Sequence, residues 1–213
     1  DAQESRGLGD VYKRQVLIGV SGALVWQAKS SRLTLKGISG EAISAEDLNK
    51  WDKSSDNMQT EVQGNQLYIQ ESIGSEGVAL VYPQKISGDF IFKFKLMSLT
   101  QTGKIKIISR NDDGDYEYIV ELQQLRSKQT AKIWRDGALV GQADAFTLKP
   151  DVFYQIIFER SGRQLNLEID GKTVISSTEN KPAQNATLGI RIEGRPDHPA
   201  AIEIKDVELY YNR

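Results

Sequence analysis

Residues able to do chemistry gather in two stretches of this chain. Arg110, Glu117, Tyr118, Glu121, Gln123 and Trp134 fall between Gly103 and Arg135, and Arg191, Glu193, Arg195 and His198 fall between Thr187 and Ala200. Carboxylates in such company can serve as acid or base, which makes Glu117, Glu121 and Glu193 the catalytic candidates. Arg110 or Arg191 would stabilise charge developing beside them. Gln123, Arg195 and His198 offer hydrogen bonds to a polar ligand, while Tyr118 and Trp134 offer ring faces. Each also has a plainer role. Arg110 would pair with Asp112 or Asp115, and the glutamates and Gln123 would be solvated sheet face. Trp134 would be core, and the group from Arg191 to His198 an ion-paired loop held by Pro196 and Pro199. If Glu117 and Glu121 share one face of a strand, four residues separate them by roughly 13 Å. Hydrolysis needs its two carboxyls about 5 to 9.5 Å apart, so that pair alone does not fit.

Composition removes several other chemistries. The chain has no cysteine, which excludes thiolate nucleophiles, disulfides and cysteine zinc sites, and its one histidine excludes a multi-histidine metal site. A formal net charge of -2 gives no reason to expect nucleic acid as a partner. The acidic turn Asn111 to Asp115 presents oxygens that calcium would accept, but without the Asp-x-Asp-x-Asp-Gly spacing. No cofactor is expected, calcium being the one exception left open.

The elements that must position these residues are strands. Lys104 to Arg110, Tyr116 to Gln124 and Thr130 to Arg135 are extended runs split by Asn111 to Asp115 and followed by Asp136-Gly137. Period-two alternation sets Lys106 with Arg110, and Glu117 with Glu121 and Gln123; Trp134 falls with Lys132 and Thr130. Further strands are expected at Leu33 to Gly37, Met58 to Val62, Gln66 to Gln70, Gly77 to Tyr82, Phe90 to Met97 and Leu139 to Gln142. Later ones are Phe153 to Arg160, Gln164 to Ile169, Thr173 to Ser177, Thr187 to Glu193 and Ile202 to Tyr210. Turns every 8 to 12 residues or so are the spacing of a sandwich or jelly roll. Phe90, Phe92, Phe94 and Leu96 would line one face of their strand, with Lys93 and Lys95 on the other. A phase change near Asp206 predicts a bulge, and Asp170-Gly171 predicts a tight hairpin. Ser44 to Lys50 supports a single capped helical turn. At 213 residues and 39% hydrophobic, the chain suits one well-buried domain.

The N-terminal stretch reads differently. Asp1 to Gln15 is polar and patternless, resembles read-through appended to a translated fragment, and is set apart from the fold. Val16 to Ala28 follows Lys13 and Arg14 as a short apolar run, below the roughly 20 residues that span a bilayer. It matches an export signal or short anchor, the alternative being a first strand or helix of the fold. The expected organisation is therefore residues 1–31 as this leader and residues 32–213 as one domain, exported, with no membrane-spanning part beyond the leader.

The order of the pieces resembles a known family. Leu48-Asn49-Lys50-Trp51, then Val62-Gln63-Gly64-Asn65-Gln66-Leu67-Tyr68-Ile69, is similar to the opening of concanavalin A-like, laminin-G-like jelly rolls of the 3-keto-disaccharide hydrolase type. The likeness continues through Gly88-Asp89-Phe90, Arg110 with Tyr116-Glu117, Leu167 to Val174, Leu188-Gly189-Ile190 and Ile202 to Leu209. The chain departs from that pattern at Ile119, where the family carries a polar residue, and at Thr102-Gly103-Lys104, where it has Asn-Ser-Gly. The Glu-x-Asp-x-x-Glu motif of related endo-glucanases is absent. The resemblance implies an all-β, two-sheet antiparallel β-sandwich with a saccharide bound on its concave sheet. A hydrolase or lyase, and a non-catalytic adhesion module, are the alternatives.

Overall fold

The computed structural model describes residues 39–99, 103–124, 129–144, 146–181, 185–195 and 197–212. The leader, the strand expected at Leu33 to Gly37 and the boundary at residue 32 lie outside the described residues.

The alternating runs fold as strands. In chain order they are β1 (Ser39–Ile43), the helical turn α1 (Ala45–Leu48), β2 (Asp52–Lys53), β3 (Met58–Gln63), β4 (Gln66–Glu71), β5 (Val78–Val81), β6 (Ser87–Ser98) and β7 (Lys104–Arg110). There follow β8 (Tyr116–Gln124), β9 (Gln129–Arg135), β10 (Ala138–Ala143), β11 (Phe153–Ser161), β12 (Gln164–Ile169), β13 (Lys172–Thr178), β14 (Thr187–Glu193) and β15 (Ala201–Asn212). All pairings are antiparallel. One sheet runs β13-β12-β11-β6-β15-β4-β3 with β1 also on β15, and the other runs β10-β9-β8-β7-β14-β5-β2. β1 and β2 carry no alternation that announces them; pairing with β15 and β5 holds them extended.

Local chemistry sets the connections. Asp136-Gly137 and Asp170-Gly171 place two successive residues at positive φ, the primed hairpin turn whose twist matches that of the strands. Each closes a tight register, Arg135 opposite Ala138 and Ile169 opposite Lys172. Asp206, at φ 51, is the bulge in β15, where the register slips between Lys205 and Glu208. Ser44 caps α1 by accepting from the Asp47 N–H at 3.1 Å.

The core lies between the sheets. Phe90, Phe92, Phe94 and Leu96 of β6 point inward and are at most 4% exposed. Burying each of these side chains stabilises by about 1.5 to 3 kcal/mol. Leu48 and Trp51 join them, the indole 5.2 Å from the Tyr82 ring and 6.2 Å from that of Phe92. From the other sheet come Ile105, Ile107, Val120, Leu122, Ile133 and Ile190. Lys93 and Lys95 face outward and pair with Glu208 at 2.7 Å and Asp206 at 2.9 Å.

Candidate functional site

The inward set of β7, β8 and β9 leaves the alternate residues on the outer face of the seven-stranded sheet. Register places Arg191, Lys106, Glu121 and Lys132 in one row across β14, β7, β8 and β9. The next row holds Gly189, Ile108, Ile119 and Trp134, with Leu139 of β10 beyond. A polar row thus runs beside an apolar one. Between them lies a groove of about 530 Å³ lined by Lys104, Lys106, Ile119, Glu121, Gln123, Lys132, Trp134 and Gly137. That volume is in the range of small-molecule sites.

The groove's charges are linked unevenly. Glu121 reaches Lys104 at 3.4 Å and Lys106 at 3.8 Å, and Lys106 also pairs with Glu193 at 2.6 Å. Arg191 closes on Glu193 at 2.8 Å and donates to the Glu76 carbonyl at 2.6 Å. Burial pushes the Glu193 carboxyl up, but the hydrogen bonds from Lys106 and Arg191 outweigh it and hold the group below its ordinary value. Among the described residues no carboxylate lies in ion-pair range of Lys132; its ammonium sits 5.7 Å from the centre of the Trp134 ring. Gln123 accepts from the Thr130 hydroxyl at 3.4 Å and keeps its amide donors for other partners.

The structure sorts the expected residues into four groups. Glu121, Gln123 and Trp134 line the groove, and Arg191 and Glu193 adjoin it through Lys106. Trp134 is half-buried on the outer face and not part of the core. Arg110 lies at the far end of β7; it pairs with neither Asp112 nor Asp115, donating instead to the Tyr116 hydroxyl at 2.9 Å with its guanidinium 4.9 Å from that ring. Asp112 pairs with Lys85 at 2.6 Å.

Glu117 and Tyr118 correct the expectation drawn from simple alternation. Tyr118 opposes Ser109 and Tyr116 opposes Arg110, so Glu117 is the extra residue of a bulge and turns inward, away from Glu121. It is 3% exposed, faces Arg135 at 3.6 Å and accepts from the Ser109 hydroxyl at 3.4 Å. Tyr118, 1% exposed, donates to Glu179 at 2.5 Å, and Glu179 also binds Arg135 and takes Arg160 at 3.1 Å. Burial, with that hydrogen bond, pushes the Tyr118 phenol far up. These buried residues link the two sheets inside the protein. Arg195 and His198 are exposed across a short bridge after β14, and His198 lies 3.7 Å from Asp197. The base of that loop is tied down by buried Glu71, which accepts from the N–H groups of Gly194 and Ala200. The loop does not contribute to the groove lining.

Sequence reasoning missed the lysines. Lys104, Lys106 and Lys132 had alternation on their side, but a strand lysine is usually solvated surface. Only the pairing of β7, β8 and β9 brings all three around one tryptophan. Among the described residues no group of three or more histidine or acidic side chains is placed to hold a metal. In the acidic turn, the Asn111 side-chain oxygen accepts from the N–H groups of Asp113 at 3.1 Å and Asp115 at 2.9 Å.

Two larger hollows carry less. One of about 640 Å³ beside α1 is lined by Lys93, Lys95, Asp206 and Glu208, which pair with one another. One of about 830 Å³ at the β10 and β13 edge has two of its polar groups engaged by backbone: Asp170 accepts from Gln155 N–H at 2.7 Å, and the Tyr154 hydroxyl from Lys149 N–H at 3.1 Å.

No protein-family model and no curated protein matches the sequence. Solved structures do share the architecture. A Bacillus subtilis protein of unknown function with a galectin-like fold superposes with a TM-score of 0.65 at 12% identity, over 79% of this chain and 93% of that one. The carbohydrate recognition domain of Emp47p gives 0.59 at 13% identity, over 83% and 97%. A native glycosidic hydrolase gives 0.61 at 12% identity, over 84% and 97%. The described residues form an all-β, two-sheet antiparallel jelly-roll sandwich of galectin-like type. At these identities the likeness is one of fold, and the narrower tie to 3-keto-disaccharide hydrolases is not established by it.

Proposed function

We propose that this protein binds a saccharide in the groove on the outer face of the seven-stranded sheet. The observation that carries the proposal is the gathering of Trp134, Gln123, Glu121 and Lys132 around one hollow of about 530 Å³. An aromatic plane beside charged and amide groups suits a ring with an apolar face and a hydroxyl edge. The fold is shared with a carbohydrate recognition domain, which makes the sheet face a reasonable place for such a ligand. With the apolar run Val16 to Ala28 as leader, we place the protein outside the cytoplasm.

Glycan-array binding followed by calorimetry tests this. Trp134→Ala should weaken the best saccharide about tenfold, the order expected for a lost aromatic contact, while leaving the unfolding midpoint near that of the parent. Undiminished affinity in Trp134→Ala, or an array with no saccharide bound, overturns the proposal.

A second reading, hydrolysis, is favoured by one observation: Glu121 and Glu193 both reach the Lys106 ammonium. Against it, a general acid needs a raised pKa, and Glu193 is held below its ordinary value. Release of reducing sugar that is lost in both Glu121→Gln and Glu193→Gln would establish catalysis; no release would leave binding alone.

A further inference from the structure

The groove differs in charge from the molecule around it. Resting on the binding proposal above, we infer that its ligand is an anionic saccharide, bearing a carboxylate or a sulfate ester. The lining has three lysines against one glutamate, in a chain whose formal net charge is -2. The local excess therefore opposes the sign of the whole molecule.

Among the described residues that excess is not neutralised. Glu121 is shared between Lys104 and Lys106, and Glu193 is shared between Lys106 and Arg191. Two carboxylates thus serve three cations, and Lys132, although opposite Glu121 in register, closes no ion pair among the described residues. Its ammonium lies over the Trp134 ring, whose face attracts a cation but does not cancel its charge. An ammonium lying over an aromatic face is within reach of a substituent on a ring that stacks against that face. A neutral sugar leaves Lys132 with hydroxyls alone, whereas a uronate or sulfated sugar supplies a charged acceptor, whose hydrogen bonds are shorter and stronger. A flat, extended polyanion would satisfy the lysines but leave Trp134 and Gln123 without ring-shaped partners. The mixed lining is what favours a sugar over other polyanions.

Calorimetric titration of the whole chain decides between the sources. The probes are a polygalacturonate oligosaccharide with its carboxyl-reduced counterpart, dextran sulfate with dextran, and polyglutamate. At least one anionic saccharide should bind about tenfold or more tightly than its neutral match, and that preference should shrink as sodium chloride rises. Preference in the first pair identifies carboxylate, in the second sulfate. Lys132→Gln should lose about tenfold toward the anionic ligand, with an unchanged unfolding midpoint. Equal affinity for neutral and charged partners of each pair overturns the charge inference and leaves saccharide binding standing. No binding to any saccharide removes the reading beneath it. Polyglutamate bound as tightly as the anionic sugar overturns the inference in favour of unspecific attraction.

Discussion

At the scale of single residues, the groove is defined by what surrounds each charge. Lys132 and Lys106 are both outward lysines on the strands either side of β8, yet one lies over a ring and the other is clamped between two carboxylates. The clamp has a consequence for pH. Because the Glu193 carboxyl is held below its ordinary value of 4.5 when folded, it contributes stability above that value. The contribution is lost as pH falls through the depressed folded value. Glu193→Gln should therefore cost up to about 1 kcal/mol near neutral pH, and the gap between parent and variant should close below about pH 4. Urea midpoints measured across that range check it; a gap that widened toward acid would contradict the ion-pair assignment.

Strand irregularities decide where side chains point at the scale of elements. The bulge near Asp206 is legible in the sequence because a whole alternating strand changes phase around it. The bulge at Glu117 is not, since Tyr116-Glu117-Tyr118 reads smoothly and only the pairing of Ser109 with Tyr118 reveals the extra residue. One slipped position moved a carboxylate from the outer face to the interior. Gly189 shows the same dependence on neighbours. A Cβ there would meet the Leu80 carbonyl oxygen at 2.7 Å and the Val81 Cα at 3.2 Å, so β14 and β5 approach as they do because the residue has no side chain. Gly189→Ala should destabilise the protein by about 1 to 3 kcal/mol through overpacking, read as a lowered denaturant midpoint. An unmoved midpoint would mean that the backbone yields at this junction.

Across the whole molecule, the apolar layer joins the sheets, and so does the buried group in which Glu117 and Arg135 of the seven-stranded sheet meet Arg160 of β11 and Glu179, just past β13. Arg135 also stacks its guanidinium 5.1 Å from the Tyr118 ring and donates to the Lys181 carbonyl at 3.1 Å. Arg135→Met would leave two carboxylates facing one arginine and should lower stability by about 3 to 5 kcal/mol, measured by thermal or chemical unfolding. Saccharide affinity at a temperature where the variant stays folded should be kept, which separates this interior group from the groove.

Alternation and turn chemistry determined, from the sequence alone, that the chain is a two-layer antiparallel sandwich. They also set which face of β6 is core and where the hairpins at Asp136-Gly137 and Asp170-Gly171 fall. Those features depend on neighbours a few residues away, and periodicity records them. The assembly of Lys104, Lys106, Lys132 and Trp134 around one hollow, the inward turn of Glu117 and the separation of Arg195 and His198 from the groove were decided only by tertiary pairing. Each depends on which strand lies beside which and at what offset, and in an antiparallel sheet an offset of one residue exchanges inside for outside.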